Sequence, residues 1–316
     1  MASDRYFLHH GILLPTVVHN EESLKYANDF KVQDSDVFAI TYPKSETHSF
    51  ESFKYAEEIK VEDEDIFTVT YPKSGTTWMQ EIVPLVLNGG DLTPVQTIPN
   101  WDRVPWLEET RAALVLDRLP SPRAMVSHMP YHLMPPSFFP SKAKVIYVTR
   151  NPKDVMVSSF HFHKMASFLD DPGTFDEFLN KFLSGQVLFG KWTDHVKSWR
   201  NSDLGDRILY ITYEEMVKDL RGVLERLSRF LGRDLSEETL DRVANHCCFS
   251  NMKLNAMSNY SLVPQEIMDS SKSTFLRKGV AGDWKNHFSP EQDSKFTAIL
   301  KEEMNGTNIK FPWDEE

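Results

Sequence analysis

A lysine, a glycine and two threonines stand close together in Tyr71-Pro72-Lys73-Ser74-Gly75-Thr76-Thr77-Trp78, a grouping suited to holding an anion. The segment lies between an apolar run and a helical pattern, where backbone N–H groups and the positive helix end favour negative charge. Gly75 permits close backbone approach, Lys73 brings charge, and the threonine hydroxyls can donate hydrogen bonds. A nucleoside-triphosphate loop of the form GxxxxGK[ST] fits badly, because the two required glycines and the lysine after the second are not there. Taken alone, the segment could also be an ordinary strand-to-helix turn. His161 and His163 invite a metal reading. Spaced by two on a predicted helix they point to different faces, and no cysteine or carboxylate completes a set, so no metal site is expected. Cys247 and Cys248 are the only cysteines. Being adjacent, they give neither a metal spacing nor a disulfide framework, which fits a reducing compartment.

The elements that must position these groups alternate. Asp65 to Pro72 (DIFTVTYP) reads as a buried strand, followed by the loop and helix of SGTTWMQEIVPLVL. Ala143 to Arg150 (AKVIYVTR) is a second strand; Asn151-Pro152 marks a turn, and Lys153 to Lys164 a helix. Arg207 to Met216 (RILYITYEEM) is a third strand leading to a loop, and KDLRGVLERLSRFLG an amphipathic helix ending at Gly232. Strands separated by helices predict a single α/β domain with a mostly parallel sheet covered on both faces. Proline-rich stretches at 94–105 and 130–140 read as loops over the carboxyl edge of that sheet, where ligands bind in such folds.

One segment occurs twice. Glu22 to Ser45 recurs 29 residues later as Glu51 to Ser74, with 15 of 24 positions identical. Two copies do not make a solenoid. Only the second continues into Gly75-Thr76-Thr77; the first continues Glu46-Thr47-His48, with a carboxylate where the glycine would be. The expected division is therefore residues 1–50 as an N-terminal segment with a non-functional first copy, and 51–316 as the catalytic domain. The segment from Asp34 to Ser49 is expected outside the catalytic core.

The chain of 316 residues is 41% hydrophobic and 12% aromatic, enough to fill a sizeable core. Its net charge of −11 speaks against nucleic acid as a partner, and an anionic ligand would need a locally positive pocket. The N-terminus lacks a basic region followed by a long apolar run, so neither a signal peptide nor a membrane span is expected, and the predicted location is the cytoplasm.

Two further motifs accompany the loop. Arg150-Asn151-Pro152-Lys153-Asp154 is followed by Ser158, and Arg277-Lys278-Gly279 by Gly282-Asp283-Trp284-Lys285. In order and spacing the three motifs resemble those of the cytosolic sulfotransferases, and on them the chain is identified as a member of that family from about Glu51 onward. SNYSLVPQEIMD and SKAKVIYVTRNPKD are most similar to the alcohol and hydroxysteroid branch. The resemblance implies a P-loop-like phosphosulfate loop and transfer of a sulfuryl group from 3′-phosphoadenosine-5′-phosphosulfate (PAPS) to the hydroxyl of a small apolar acceptor, without a metal. It assigns Lys73 to the sulfuryl-bridging region, Ser74, Gly75, Thr76 and Thr77 to the 5′-phosphate, and Trp78 to the adenine. Arg150, Ser158, Arg277, Lys278 and Gly279 would hold the 3′-phosphate. Tyr213, Cys247, Cys248, Phe249, Met252, Phe275 and Leu276 would line the adenine side. His128 would be the general base, with Lys73 stabilising the leaving phosphate. Trp101, Val126 and Tyr260 would join His128 around the acceptor. Val126 stands where phenol-directed members carry a lysine, which tilts the expectation toward steroids or alcohols.

Two other functions compete. An ATP-dependent P-loop kinase would need a Walker-type lysine and a Mg²⁺ carboxylate, for which the sequence offers no candidate. A catalytically impaired PAPS-binding protein, disturbed by the duplication, is opposed by the survival of every motif residue. The family's short dimerisation pattern is degraded: Lys285 survives, but Ser289, Pro290 and Ser294 replace its threonine, valine and glutamate, so a homodimer is left open.

Overall fold

Period-two side-chain alternation, with both faces buried, shapes the centre of this protein, seen here in a computed structural model that describes residues 6–9, 12–15, 55–109 and 112–314. A hairpin comes first, β1 (Tyr6–His9) pairing antiparallel with β2 (Ile12–Pro15). The sheet consists of β3 (Ile66–Thr70), β4 (Ala124–Ser127), β5 (Lys144–Thr149) and β6 (Ile208–Thr212). All pairings are parallel and the order is β4-β3-β5-β6. Phe67, Val69, Val145 and Tyr147 enter one core cluster, while Ile66, Ile146 and Val148 enter the other. The second copy of the repeated segment thus supplies the central strand β3. The first copy, including Asp34 to Ser49, lies outside the described residues.

The helices are α1 (Thr76–Leu87), α2 (Thr93–Thr97), α3 (Asn100–Arg103), α4 (Ala112–Leu116), α5 (Pro152–Met165) and α6 (Phe175–Ser184). They continue with α7 (Trp192–Arg200), α8 (Tyr213–Lys218), α9 (Leu220–Leu231), α10 (Glu237–His246), α11 (Phe249–Leu254) and α12 (Pro290–Glu303). Helices α1 and α9 cover one face through Ile82, Val83, Leu224 and Leu227, and α5 to α7 the other through Val155, Phe178 and Trp199.

Two local readings need correction. The loop expected after the third strand is α8, because Thr212 and Glu215 form a reciprocal capping box that starts a helix at Tyr213. The proline-rich stretches contain helical turns: Pro94 stands in the first turn of α2, and Pro136 opens a 3₁₀ turn, positions where a missing N–H costs nothing. The segment compared with a dimer motif is built into the start of α12, where Ser289 and Gln292 form another capping box ahead of Pro290. Among the described residues no helix is long and apolar enough to cross a membrane.

Candidate active site

Each strand of the sheet delivers one polar group to its carboxyl edge. After β3 the chain turns at Lys73, whose φ of 67° lies in the left-handed region, and at Gly75, at 111°. Gly75 is the N-cap of α1 and supplies no side-chain cap, so the first-turn N–H groups face the loop without one. Helices α5, α6, α8, α9, α10 and α12 carry side-chain caps, whereas α2, α3, α7 and α11, like α1, do not. A Cβ on Gly75 would stand 3.2 Å from the Tyr213 ring.

A cavity of about 500 Å³ opens over this edge. Among the described residues its wall includes Lys73, Arg150, Arg277 and Lys278 and a single carboxylate, Glu109, a positive patch in a chain of net charge −11. Arg150, after β5, donates to the carbonyls of Lys73 (3.1 Å) and Val280 (3.3 Å) and lies 4.1 Å over the ring of Tyr213, after β6. The Lys73 ammonium sits 4.1 Å from the centre of the Phe162 ring and 4.2 Å from that of Phe275. Burial, then the nearby charges of Arg150 and Arg277, pulls its pKa down to about 7. Asp283 pairs with Arg277 (2.9 Å) and Lys278 (2.6 Å). Burial works against its charge, but hydrogen bonds from Lys278, Asn286 and Arg277 prevail and hold its carboxyl well below the ordinary range. Asp154 accepts from the backbone N–H of Gly282 (2.6 Å) and Trp284 (2.9 Å), tying this segment to α5.

His128 follows β4 and lines the same cavity. Its Nδ1 lies 2.6 Å from the Thr70 carbonyl oxygen, an acceptor only, so Nδ1 carries the proton and the neutral ring keeps its lone pair on Nε2. The surroundings fix the residue further. Glu108 accepts from its backbone N–H at 2.6 Å, and His195 Nε2 donates to its carbonyl at 3.0 Å. Trp106 and Phe189 pack on the ring with centroids 4.5 and 5.1 Å away. Burial raises the Glu108 carboxyl to about 7, although the His128 N–H opposes the shift.

Most residues singled out in the sequence meet here. Lys73, Gly75, Thr76, Thr77, Trp78, Trp101, His128, Arg150, Ser158, Tyr213, Phe249, Met252, Tyr260, Phe275, Leu276, Arg277, Lys278 and Gly279 all line the cavity. Four do not. Val126 is buried in the core, because Pro105 to Leu107 run alongside β4 and hydrogen-bond to both its N–H and its carbonyl. It cannot set acceptor preference by contact. Ser74 is fully buried beneath the loop. Cys247 is buried too, and its contribution is a carbonyl that accepts from Trp78 Nε1 at 2.8 Å. Cys248 stands at the N-cap position of α11 without capping it, its sulfur 3.2 Å from Ser250 Oγ. His161 faces His287, whereas His163 Nδ1 donates to the Ser159 carbonyl within α5. Sequence reasoning missed Trp106, Glu108, Phe162 and Phe189, none of which carries a local signal; Asp154 and Asp283 lay inside motifs already noted.

A family model described as a sulfotransferase domain matches residues 63–308. Over 311 residues the chain is 52% identical to Sulfotransferase 2B1 of Mus musculus, covering 98% of this chain and 83% of that protein. It is 45% identical over 315 residues to the 3-beta-hydroxysteroid sulfotransferase of Cavia porcellus, covering 99% of each. Among solved structures, retinol dehydratase in complex with androsterone and the inactive cofactor PAP superposes with a TM-score of 0.74 at 26% identity, covering 83% of this chain and 87% of that one.

Proposed function

Because this chain belongs to the sulfotransferase family, and is a sulfotransferase, we propose that it moves the sulfuryl group of PAPS to the hydroxyl of an apolar acceptor of the hydroxysteroid class. One observation carries the reading: a held histidine, a buried lysine and an uncapped helix end face a single cavity with four cations on its wall.

The residues fit a nucleotide with two phosphate groups. Arg150, which lines the cavity, has its Nε buried with no hydrogen-bond partner. Gly279, at φ 68°, leaves open a space in which a Cβ would stand 2.1 Å from the Phe249 ring. In this reading Gly75, Thr76 and Thr77 hold the 5′-phosphate, with Lys73 beside the bridging oxygen. Arg150, Ser158, Arg277, Lys278 and Gly279 hold the 3′-phosphate, a demand met by forked and compact cations with backbone donors. Trp78 and Phe249 flank the adenine, and Tyr213 and Met252 complete that wall. The donor supplies an activated sulfuryl group. His128 Nε2 takes the acceptor's proton as its oxygen attacks, and Lys73 stabilises the charge that develops on the departing phosphate.

Trp101, Trp106, Phe168, Phe189 and Tyr260 make the rest of the wall aromatic, which suits an apolar alcohol. The preference for steroids therefore rests on these residues and on the hydroxysteroid relative, no longer on Val126. A cytoplasmic location accompanies the reading, supported by two free cysteines. The test is turnover of a 3β-hydroxysteroid with PAPS, by wild type and by His128→Ala. The variant should bind adenosine 3′,5′-bisphosphate nearly as well as wild type and lose about 10²–10⁴-fold in rate. Near-normal turnover in the variant would remove His128 from the role.

A further inference from the structure

Glu81 lies on α1, five residues beyond Thr76, and its carboxylate has no exposure to solvent. None of the chemistry above uses it. A buried carboxylate is costly unless its oxygens are fully hydrogen-bonded, and here four donors converge. Arg103 Nη2 and the Ser258 hydroxyl donate to Oε2. His246 Nε2 (2.7 Å) and Asn255 Nδ2 (3.2 Å) donate to Oε1.

The donors come from three segments that carry or lead into residues of the cavity wall. Arg103 ends α3, the short helix that carries Trp101. It also donates at 3.3 Å to the Gln80 carbonyl, which lacks a helical partner because Pro84 has no N–H to give. His246 ends α10 and leads into Cys247, whose carbonyl holds Trp78. Asn255 and Ser258 open the segment that reaches Tyr260, itself at a positive φ of 62°, and then Val263 and Ile267 on the cavity wall. Asn255 further donates to the Val95 carbonyl at 3.0 Å, and the Asn100 N–H to the Met257 carbonyl at 2.9 Å. Trp101 and Tyr260, which meet with ring centroids 5.4 Å apart, are thus both held to α1 through one side chain.

We propose that Glu81 is a positioning residue that sets the acceptor wall, Trp101 and Tyr260, relative to the helix whose first turn forms the anion loop. Its kinetic consequence rests on the function proposed above; the anchoring itself does not. Glu81→Gln probes it. The glutamine is of equal size, but whichever way its amide turns, the NH₂ faces one group that can only donate, Arg103 on one side or Asn255 Nδ2 on the other, and that pairing is lost.

Two measurements make the test. In hydrogen exchange, residues 255–268 should exchange about tenfold or more faster in Glu81→Gln, since a buried donor left unpaired costs on that order, while 71–78 changes little. In kinetics with PAPS and a 3β-hydroxysteroid, acceptor KM should rise about tenfold, with kcat at saturating acceptor and the Kd for adenosine 3′,5′-bisphosphate each within about threefold. Ser258→Ala removes a single donor and should move both readouts the same way by less; it carries the test if Glu81→Gln does not fold. Unchanged exchange over 255–268 in the folded variants overturns the proposal. So does an equal loss in acceptor KM and nucleotide Kd, which would mean general destabilisation. A wild-type protein inactive on every hydroxysteroid sinks the functional reading instead, and the exchange result then decides the anchor alone.

Discussion

Lys73 should make nucleotide binding depend on pH in a way that can be calculated. Its ammonium lies between the Phe162 and Phe275 rings, and burial with two nearby guanidinium groups brings its pKa from 10.5 to about 7. Above neutrality the ligand-free protein therefore holds a neutral amine, which must take up a proton to face a phosphate. With a free-state pKa of about 7, affinity for adenosine 3′,5′-bisphosphate should fall about eightfold between pH 7.5 and 8.5, a range in which the ligand's own phosphates stay fully ionised. Calorimetry at pH 8.5 in buffers of different ionisation enthalpy should show uptake of close to one proton. Lys73→Arg keeps its charge throughout and should flatten the profile. The sign for stability is opposite to that of a lysine stabilised by a partner. Between the folded value near 7 and the unfolded value of 10.5, the unfolded chain binds more protons, so this group makes the ligand-free fold more stable as pH rises through that window. Affinity that stays constant over the range, or binding without proton uptake, would refute the argument.

Further outcomes follow from the geometry. Gly279→Ala sets a methyl 2.1 Å from a Phe249 ring atom at φ 68°, and should weaken nucleotide binding about tenfold or more, measured by calorimetry, with the acceptor KM little changed. Deleting residues 22–50, one full repeat, is expected to leave an active enzyme, and Lys44→Ala to alter turnover by less than about twofold, since Glu46 occupies the place of the essential glycine. A deletion that fails to fold while the full chain folds would show that the first copy contributes to the core.

Much of this arrangement was legible in the residues. The strand, loop and helix around Lys73, the strand ending at Arg150 and the helix after Pro152 follow from unbroken apolar runs meeting glycine or Asn-Pro. The carboxyl-edge site follows from their alternation. Strand β4 was missed because four residues, Ala124–Ser127, are too short for a period to declare itself, and only its register with β3 makes it a strand. Missing β4 also misjudged Val126, whose side chain is covered by Trp106 and its neighbours through contacts distant in sequence. Glu81, Glu108 and His195 look like surface residues in a one-dimensional reading. Their burial depends on hydrogen-bond partners from 20 to 177 positions away, and no short window along the chain contains both ends. Cys247 shows the same limit: only a backbone carbonyl is used, and a side-chain alphabet cannot report it.

The missing cap on α1 has a thermodynamic meaning. A side-chain cap is worth about 1 kcal/mol to a helix, and six other helices here have one. At Gly75 the sequence forgoes that contribution beside the cations of the cavity wall, leaving like charges and uncapped N–H groups together. An anion bound there completes the helix end as a serine or aspartate would elsewhere. In the function proposed above the ligand would be a detachable part of the fold, and the melting temperature should gauge occupancy, rising with the logarithm of nucleotide concentration above Kd. A serine or aspartate could not supply that cap from position 75 itself, because the backbone there stands at φ 111° and a Cβ would come 3.2 Å from the Tyr213 ring, so the helix end is left to a partner from outside the chain.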